Sequence, residues 1–243
     1  MMLMMLWIVL MLPSDSIRVA GYFCDFEALR RFHDQAVQAV EVGGFREDVL
    51  ALALTNYYLT GCGMAYKLDE DTLKFYIDEA LEALMDFDSE GSDADVQAFI
   101  SLFAGMRINF TGFPKLLTYT KMSSKALKAG KEADSTNPRI WLAEGISKFH
   151  TPKAFGGGPD KAMPILKRTL KLFENRENQD YLKDWGNEIA ILYTAMCYVE
   201  LGDTASAIRE AREGVKRYPN YKRLTKFYEK LKGSISTGKE RAR

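Results

Sequence analysis

The chain has 243 residues, 47% of them hydrophobic, and its 33 basic and 33 acidic side chains balance. That much apolar content excludes a disordered chain, and the even charge gives no electrostatic case for nucleic acid as a partner. Seven prolines and few β-branched runs favour helix over strand.

The first twelve residues, MMLMMLWIVLML, are one apolar run broken by Pro13 and Ser14. A bilayer-spanning helix needs about 20 apolar residues, so the run is too short to cross. Read as an export leader it ends after Ser16 or Gly21, giving a leader over 1–21 and a periplasmic protein. Read as a buried N-terminal helix, the same run leaves the protein in the cytoplasm. The spacing of Phe23, Phe26, Leu29, Phe32, Ala36, Val37 and Val40 predicts a first helix over 22–42, stopped by Gly43 and Gly44. The next helix covers 47–67 and is apolar on most sides, as an element sandwiched between neighbours is. Its Gly61 and Gly63 are unfavourable in a helix interior and point to close approach by a neighbouring helix.

Asp69 or Asp71 caps a helix whose stripe is Leu73, Ile77, Ala80, Leu81 and Leu84. A helix opened by Ser92 and Asp93 runs to about Phe110 and is broken by Thr111–Pro114. Helices over 115–133 and from Pro138 to Phe149 follow. His150 to Pro159 is a loop holding Gly156, Gly157 and Gly158. Pro159 begins a helix with Ala162, Ile165, Leu166, Leu170, Leu172 and Phe173 on one face, and Asn175–Asp184 is a polar connector. Glu188 to Tyr221 reads as a helical hairpin turned at Gly202–Asp203 and closed by Pro219. A short basic helix follows over 221–232, and 233–243 reads as a flexible basic tail.

Two registers recur. One aligns Ala80, Ala126, Ala162 and Ala207; the other aligns Gly61, Gly105, Gly145 and Ala195. Their spacings, about 36 to 50 residues, are those of a solenoid of stacked helix pairs. Glu188–Tyr221 resembles the tetratricopeptide repeat (TPR) family, keeping Ala195, Tyr198, Gly202–Asp203, Ala207, Gly214 and Pro219. Asn137–Arg139, Thr151–Pro152, Phe155–Gly158, Lys161–Ala162 and Asp184–Gly186 resemble small exported TPR proteins of Gram-negative envelopes. The resemblance implies an all-α solenoid of about four antiparallel hairpins over 22–232, a right-handed superhelix with flanking helices, and no defined reaction.

No residue pattern for catalysis, a metal or a cofactor emerges. The two histidines, His33 and His150, and the cysteines Cys24, Cys62 and Cys197 lack zinc-site spacing, and the cysteines read as free thiols on buried faces. The three glycines read as a tight turn in preference to an anion cradle. TPR arrays bind partners along their first helices. The positions one after and three before each register residue are Tyr58, Cys62, Leu102, Met106, Leu142, Ile146, Leu192 and Met196. None is Lys or Asn, which excludes a carboxylate clamp and describes an apolar groove for a protein or peptide segment, unless the chain's own N-terminal helix or tail fills it. The leading function is a non-catalytic scaffold or adaptor of the cell envelope. The alternative is a carrier of a small apolar ligand among Tyr57, Tyr58, Phe99, Phe103, Trp141 and Tyr193. An acidic run over 69–95 and a basic run over 216–243 are compatible with solvated ends, a membrane-proximal location or head-to-tail self-association.

Overall fold

The structure is a computed structural model that describes residues 12–175 and 181–240. The expected leader over 1–21 therefore lies outside the described residues as far as residue 11, and the basic tail does so from residue 241. Among the described residues every regular element is helical: α1 (Ser14–Phe23), α2 (Phe26–Val42), α3 (Arg46–Tyr66), α4 (Glu70–Phe87), α5 (Ala94–Ile108), α6 (Lys115–Ala133), α7 (Pro138–His150), α8 (Pro159–Glu174), α9 (Asn187–Glu200), α10 (Thr204–Arg217) and α11 (Lys222–Glu240), with one 3-10 turn at Lys153–Phe155.

The helices fall into two layers, and burial distinguishes them. α3 is buried continuously from Asp48 to Thr60, α5 from Ala94 to Ala104, and α9 from Asn187 to Ala195. Their hairpin partners bury one stripe each: Leu73, Ile77, Ala80, Leu81 and Leu84 on α4, Ser123, Ala126 and Gly130 on α6, and Ala207, Ala211 and Gly214 on α10. α3, α5, α7 and α9 therefore form the inner layer and α4, α6, α8 and α10 the outer one. The expected α-solenoid follows, because a lone helix pair leaves one face bare and the next pair covers it.

Local signals set the helix ends. The side chains of Asp69, Asp93, Asn137 and Asp203 accept hydrogen bonds from backbone N–H groups in the first turns of α4, α5, α7 and α10. The FGGG segment is a turn, with Gly156 and Gly158 at φ 77° and 104°. Its three glycine N–H groups donate to the carbonyls of Lys153, Pro152 and Lys148, which leaves none for an anion.

Four expectations need correction. The helix expected over 22–42 is two helices: the chain turns at Cys24, which adopts a left-handed conformation with φ 51°, and Asp25 caps α2. The last helix does not stop at 232, since α11 continues to Glu240 and takes in most of the expected tail. Cys24 and Cys62 are not free thiols but form a disulfide, so only Cys197 is free. Gly61 is not a close-approach glycine. A Cβ there meets nothing within 4 Å, and the same holds at Gly105, whereas at Gly63 it would sit 2.5 Å from Leu73 and at Gly145 2.6 Å from Leu166.

This difference predicts opposite signs in one experiment. Gly61→Ala and Gly105→Ala remove glycine from open helical sites and raise the unfolding free energy by about 0.5–1 kcal/mol. Gly145→Ala forces Leu166 aside and lowers it by about 1–3 kcal/mol. Urea titrations of the three variants check this, and a common sign would contradict it.

Candidate functional site

The positions expected to line an inner groove divide in two. Tyr58, Cys62, Leu102, Leu142 and Leu192 are buried at 6% exposure or less and belong to the core, while Met106, Ile146 and Met196 are partly buried against it. The first two are covered by α1, which lies across the inner layer. Gly21 packs so closely on the Tyr58 ring that a Cβ would sit 2.2 Å from it. The disulfide joins the end of α1 to Cys62 on α3.

Polar contacts pin the rest of α1 to the segment entering α9. Ser14 Oγ donates to the Tyr181 carbonyl at 2.5 Å, and Arg18 donates to Asp184 at 2.7 Å and to the Tyr22 hydroxyl at 3.0 Å. The Tyr22 hydroxyl donates to the buried Glu188 at 2.8 Å, and the Tyr218 hydroxyl donates to Asp184 at 2.8 Å. Burial pushes the Glu188 carboxyl up, against the field of Arg18. Burial acts on Asp184 in the same direction, yet Arg18 and Tyr218 outweigh it and hold that carboxyl below its usual range. The N-terminal helix thus fills part of the inner face, the arrangement that makes the covered positions core.

What remains open is limited. Met106, Ile146 and Met196 each follow an aligned small residue on α5, α7 and α9, and all three pack against the core while keeping part of their surface in solvent. On α7, one turn beyond Ile146, His150 Nε2 lies 3.0 Å from the Tyr193 hydroxyl, and Phe149 packs edge-on against Tyr193 at 5.4 Å between ring centres. Burial and the neighbouring Arg223 both lower the His150 pKa, so the imidazole is neutral at pH 7. Arg223 enters from α11, its guanidinium 5.8 Å from the Tyr193 ring, and among the described residues it makes no ion pair. The site therefore presents apolar surface closed at one side by a cation and a neutral His–Tyr pair, a set suited to binding. The sequence placed Arg223 within the basic run, and only the packing of α11 beside Tyr57 and Tyr193 brings it to the inner face.

The acidic run, in contrast, is paired in part within the molecule and otherwise faces solvent. Asp95 and Asp93 pair with Arg46, Glu79 with His33, and Asp78 with Arg107, while Glu82, Asp86 and Glu90 stay exposed. Among the described residues no group of His, Cys, Asp or Glu is placed to hold a metal, and no helix is long and apolar enough to cross a membrane. A depression of about 440 Å³ between α1 and α2, lined by Val19, Phe23 and Phe32 among others, is open to solvent.

Two solved structures share this architecture. A thermophilic TPR protein from Thermus thermophilus superimposes with a TM-score of 0.59 at 14% identity, covering 90% of this chain and 98% of its own. The HusA haemophore from Porphyromonas gingivalis gives 0.56 at 23% identity, covering 78% of this chain and 94% of its own. The fold is accordingly a TPR-like helical fold. No protein-family model matches the sequence, and no curated protein does.

Proposed function

We propose that the protein is a non-catalytic scaffold or adaptor of the bacterial cell envelope that holds a partner segment against its inner face. The observation that carries this is the partial exposure of Met106, Ile146 and Met196 on three inner-layer helices, where α1 covers Tyr58 and Cys62 of α3. TPR-like folds in general take protein or peptide partners, and partly exposed apolar side chains on successive inner helices fit an extended or helical segment. The Cys24–Cys62 bond supports the envelope location, since disulfides persist in oxidising compartments. Cleavage after Ser16 would remove the Ser14 contact to the Tyr181 carbonyl, and cleavage after Gly21 the Arg18 contact to Asp184 as well, so in this reading any leader ends ahead of Ser14.

One preparation tests both parts. With a photoreactive residue in place of Met196, irradiation in periplasmic extract gives a discrete adduct that Ile146→Asp abolishes, and N-terminal sequencing of the purified chain finds Ser14 retained. Adducts that form equally from the exposed face of α10, or an intact Met1 in a cytosolic fraction, would overturn it, and a folded chain beginning at Ile17 or Tyr22 would overturn only the end set for the leader.

A carrier role is the second reading. It is favoured by the haemophore among the structural neighbours and by the aromatic lining around Tyr57, Tyr193 and Phe149. Titration with haem separates the two: a saturable spectral change lost in His150→Ala and Tyr193→Phe supports the carrier.

A further inference from the structure

We infer that the turns joining α5 to α6 and α7 to α8 form a docking edge for an anionic membrane surface. Large apolar side chains on a folded surface are normal one at a time, and a group of them is not. Here Phe113 is 79% exposed and Phe155 80%, with Leu117 and Leu116 at 45% and 36% beside Phe113. Their neighbour Phe110 is folded back against the core, so exposure of Phe113 is not a general property of the turn. α5 and α7 pack side by side, and each is followed by an antiparallel partner, so both turns emerge at the same end of the stack.

Charge decides the occupant. From Arg107 to Lys131 the chain carries no Asp or Glu and holds Lys115, Lys121, Lys125 and Lys128 besides. Among the described residues Lys115, Lys121 and Lys153 make no ion pair, and all three are exposed beside the apolar tips. The flanking turns at this end differ. The α3–α4 turn exposes Tyr66 but leads into Asp69, Glu70 and Asp71, and the α9–α10 turn sets Leu201 between Glu200 and Asp203. In the α3–α4 turn three acids outnumber the exposed Lys67, whereas in the α7–α8 turn Asp160 pairs with Lys161 and leaves Lys153 over, so the middle two turns set a basic excess beside their apolar tips, the pairing that an anionic lipid headgroup layer over acyl chains complements. A membrane held at this edge leaves the inner layer facing along the surface, open to a partner.

The experiment is co-sedimentation of the full chain with vesicles of equal parts phosphatidylglycerol and phosphatidylcholine, against vesicles of phosphatidylcholine alone. Binding is expected to the anionic vesicles only and to weaken as salt rises. Lys115→Glu and Lys153→Glu each lower it by roughly fivefold, and Phe113→Ser/Phe155→Ser lowers it by about tenfold or more. Because all four side chains are exposed, the variants keep the parent's thermal midpoint, which is checked alongside. The inference is overturned by an absence of binding to anionic vesicles, by binding that the double phenylalanine variant retains, or by a concentration-dependent dimer in sedimentation velocity that the same variant abolishes. That last result would make the edge a contact between two copies of the chain.

Discussion

Arg139→Ala lowers the unfolding free energy by about 3–5 kcal/mol, the effect of stranding a buried charge. Arg139 is completely buried. Its Nη1 donates to Asp95 at 3.1 Å, its Nε donates to the Trp185 carbonyl at 3.2 Å, and Nη2 donates to the Lys183 carbonyl. Asp95 in turn accepts from Asn137 at 2.7 Å and from Arg46 at 2.8 Å. One cluster therefore fastens α3, α5, α7 and the segment entering α9. Burial opposes ionisation of Asp95, but Arg139, Asn137 and Arg46 prevail and hold its carboxyl below the usual range. A depressed folded-state pKa stabilises the protein above the unfolded carboxylate value, near pH 4, and that contribution is lost as pH falls through the folded value. The variant's deficit is thus largest at neutral pH and shrinks in acid, where a protonated Asp95 needs no cation. Urea titrations at several pH values check this. A deficit below about 1 kcal/mol at pH 7, or one that grows in acid, would contradict it. Arg139→Met/Asp95→Asn removes both charges and recovers part of the loss, because the pair's own net contribution is small beside the effect of breaking it.

The helices were legible in the sequence because spacing and caps are local. Lys115–Ala133 is bounded in the structure as the sequence predicts, and Ala80, Ala126, Ala162 and Ala207 are all buried, as a common register requires. The inner face was legible only in part, since apolarity marks a position as facing inward without saying what lies on it. Leu102, Leu142 and Leu192 read like Met106, Ile146 and Met196, and packing alone separates them. The cover over Tyr58 comes from α1, whose place depends on Arg18, Tyr22, Asp184 and Glu188, residues more than 160 positions apart across the pair of segments. Arg139 carried no signal as a core residue, because an arginine after Asn-Pro reads as the exposed first turn of a helix. Cysteine count hid the disulfide: with three thiols and no paired motif, nothing local told Cys24 and Cys62 from Cys197.

The disulfide sets the second large effect. Cys24→Ala/Cys62→Ala lowers stability by about 3–4 kcal/mol, the loop-entropy value for a bond that closes a separation of 38 residues. The loss is not evenly distributed. The Cys24–Cys62 bond holds the C-terminal end of α1, while Arg18, Tyr22 and Ser14 hold its remaining turns to the α9 side. Without the bond the helix keeps its polar anchors but loses its tie to α3, so it opens at the Cys24 end first. Amide exchange of α1 and the end of α3 accelerates more than that of α9 or α10, and reduction of the native chain reproduces the pattern. Uniform acceleration over every helix would show that the bond acts only through the unfolded chain. Unchanged stability would show that α1 sits on the inner layer without it. In the expected case the inner face is a surface whose cover is held by one covalent tie and one buried polar cluster. Breaking the tie loosens α1 from Tyr58 on α3, and so enlarges the inner surface offered to a partner.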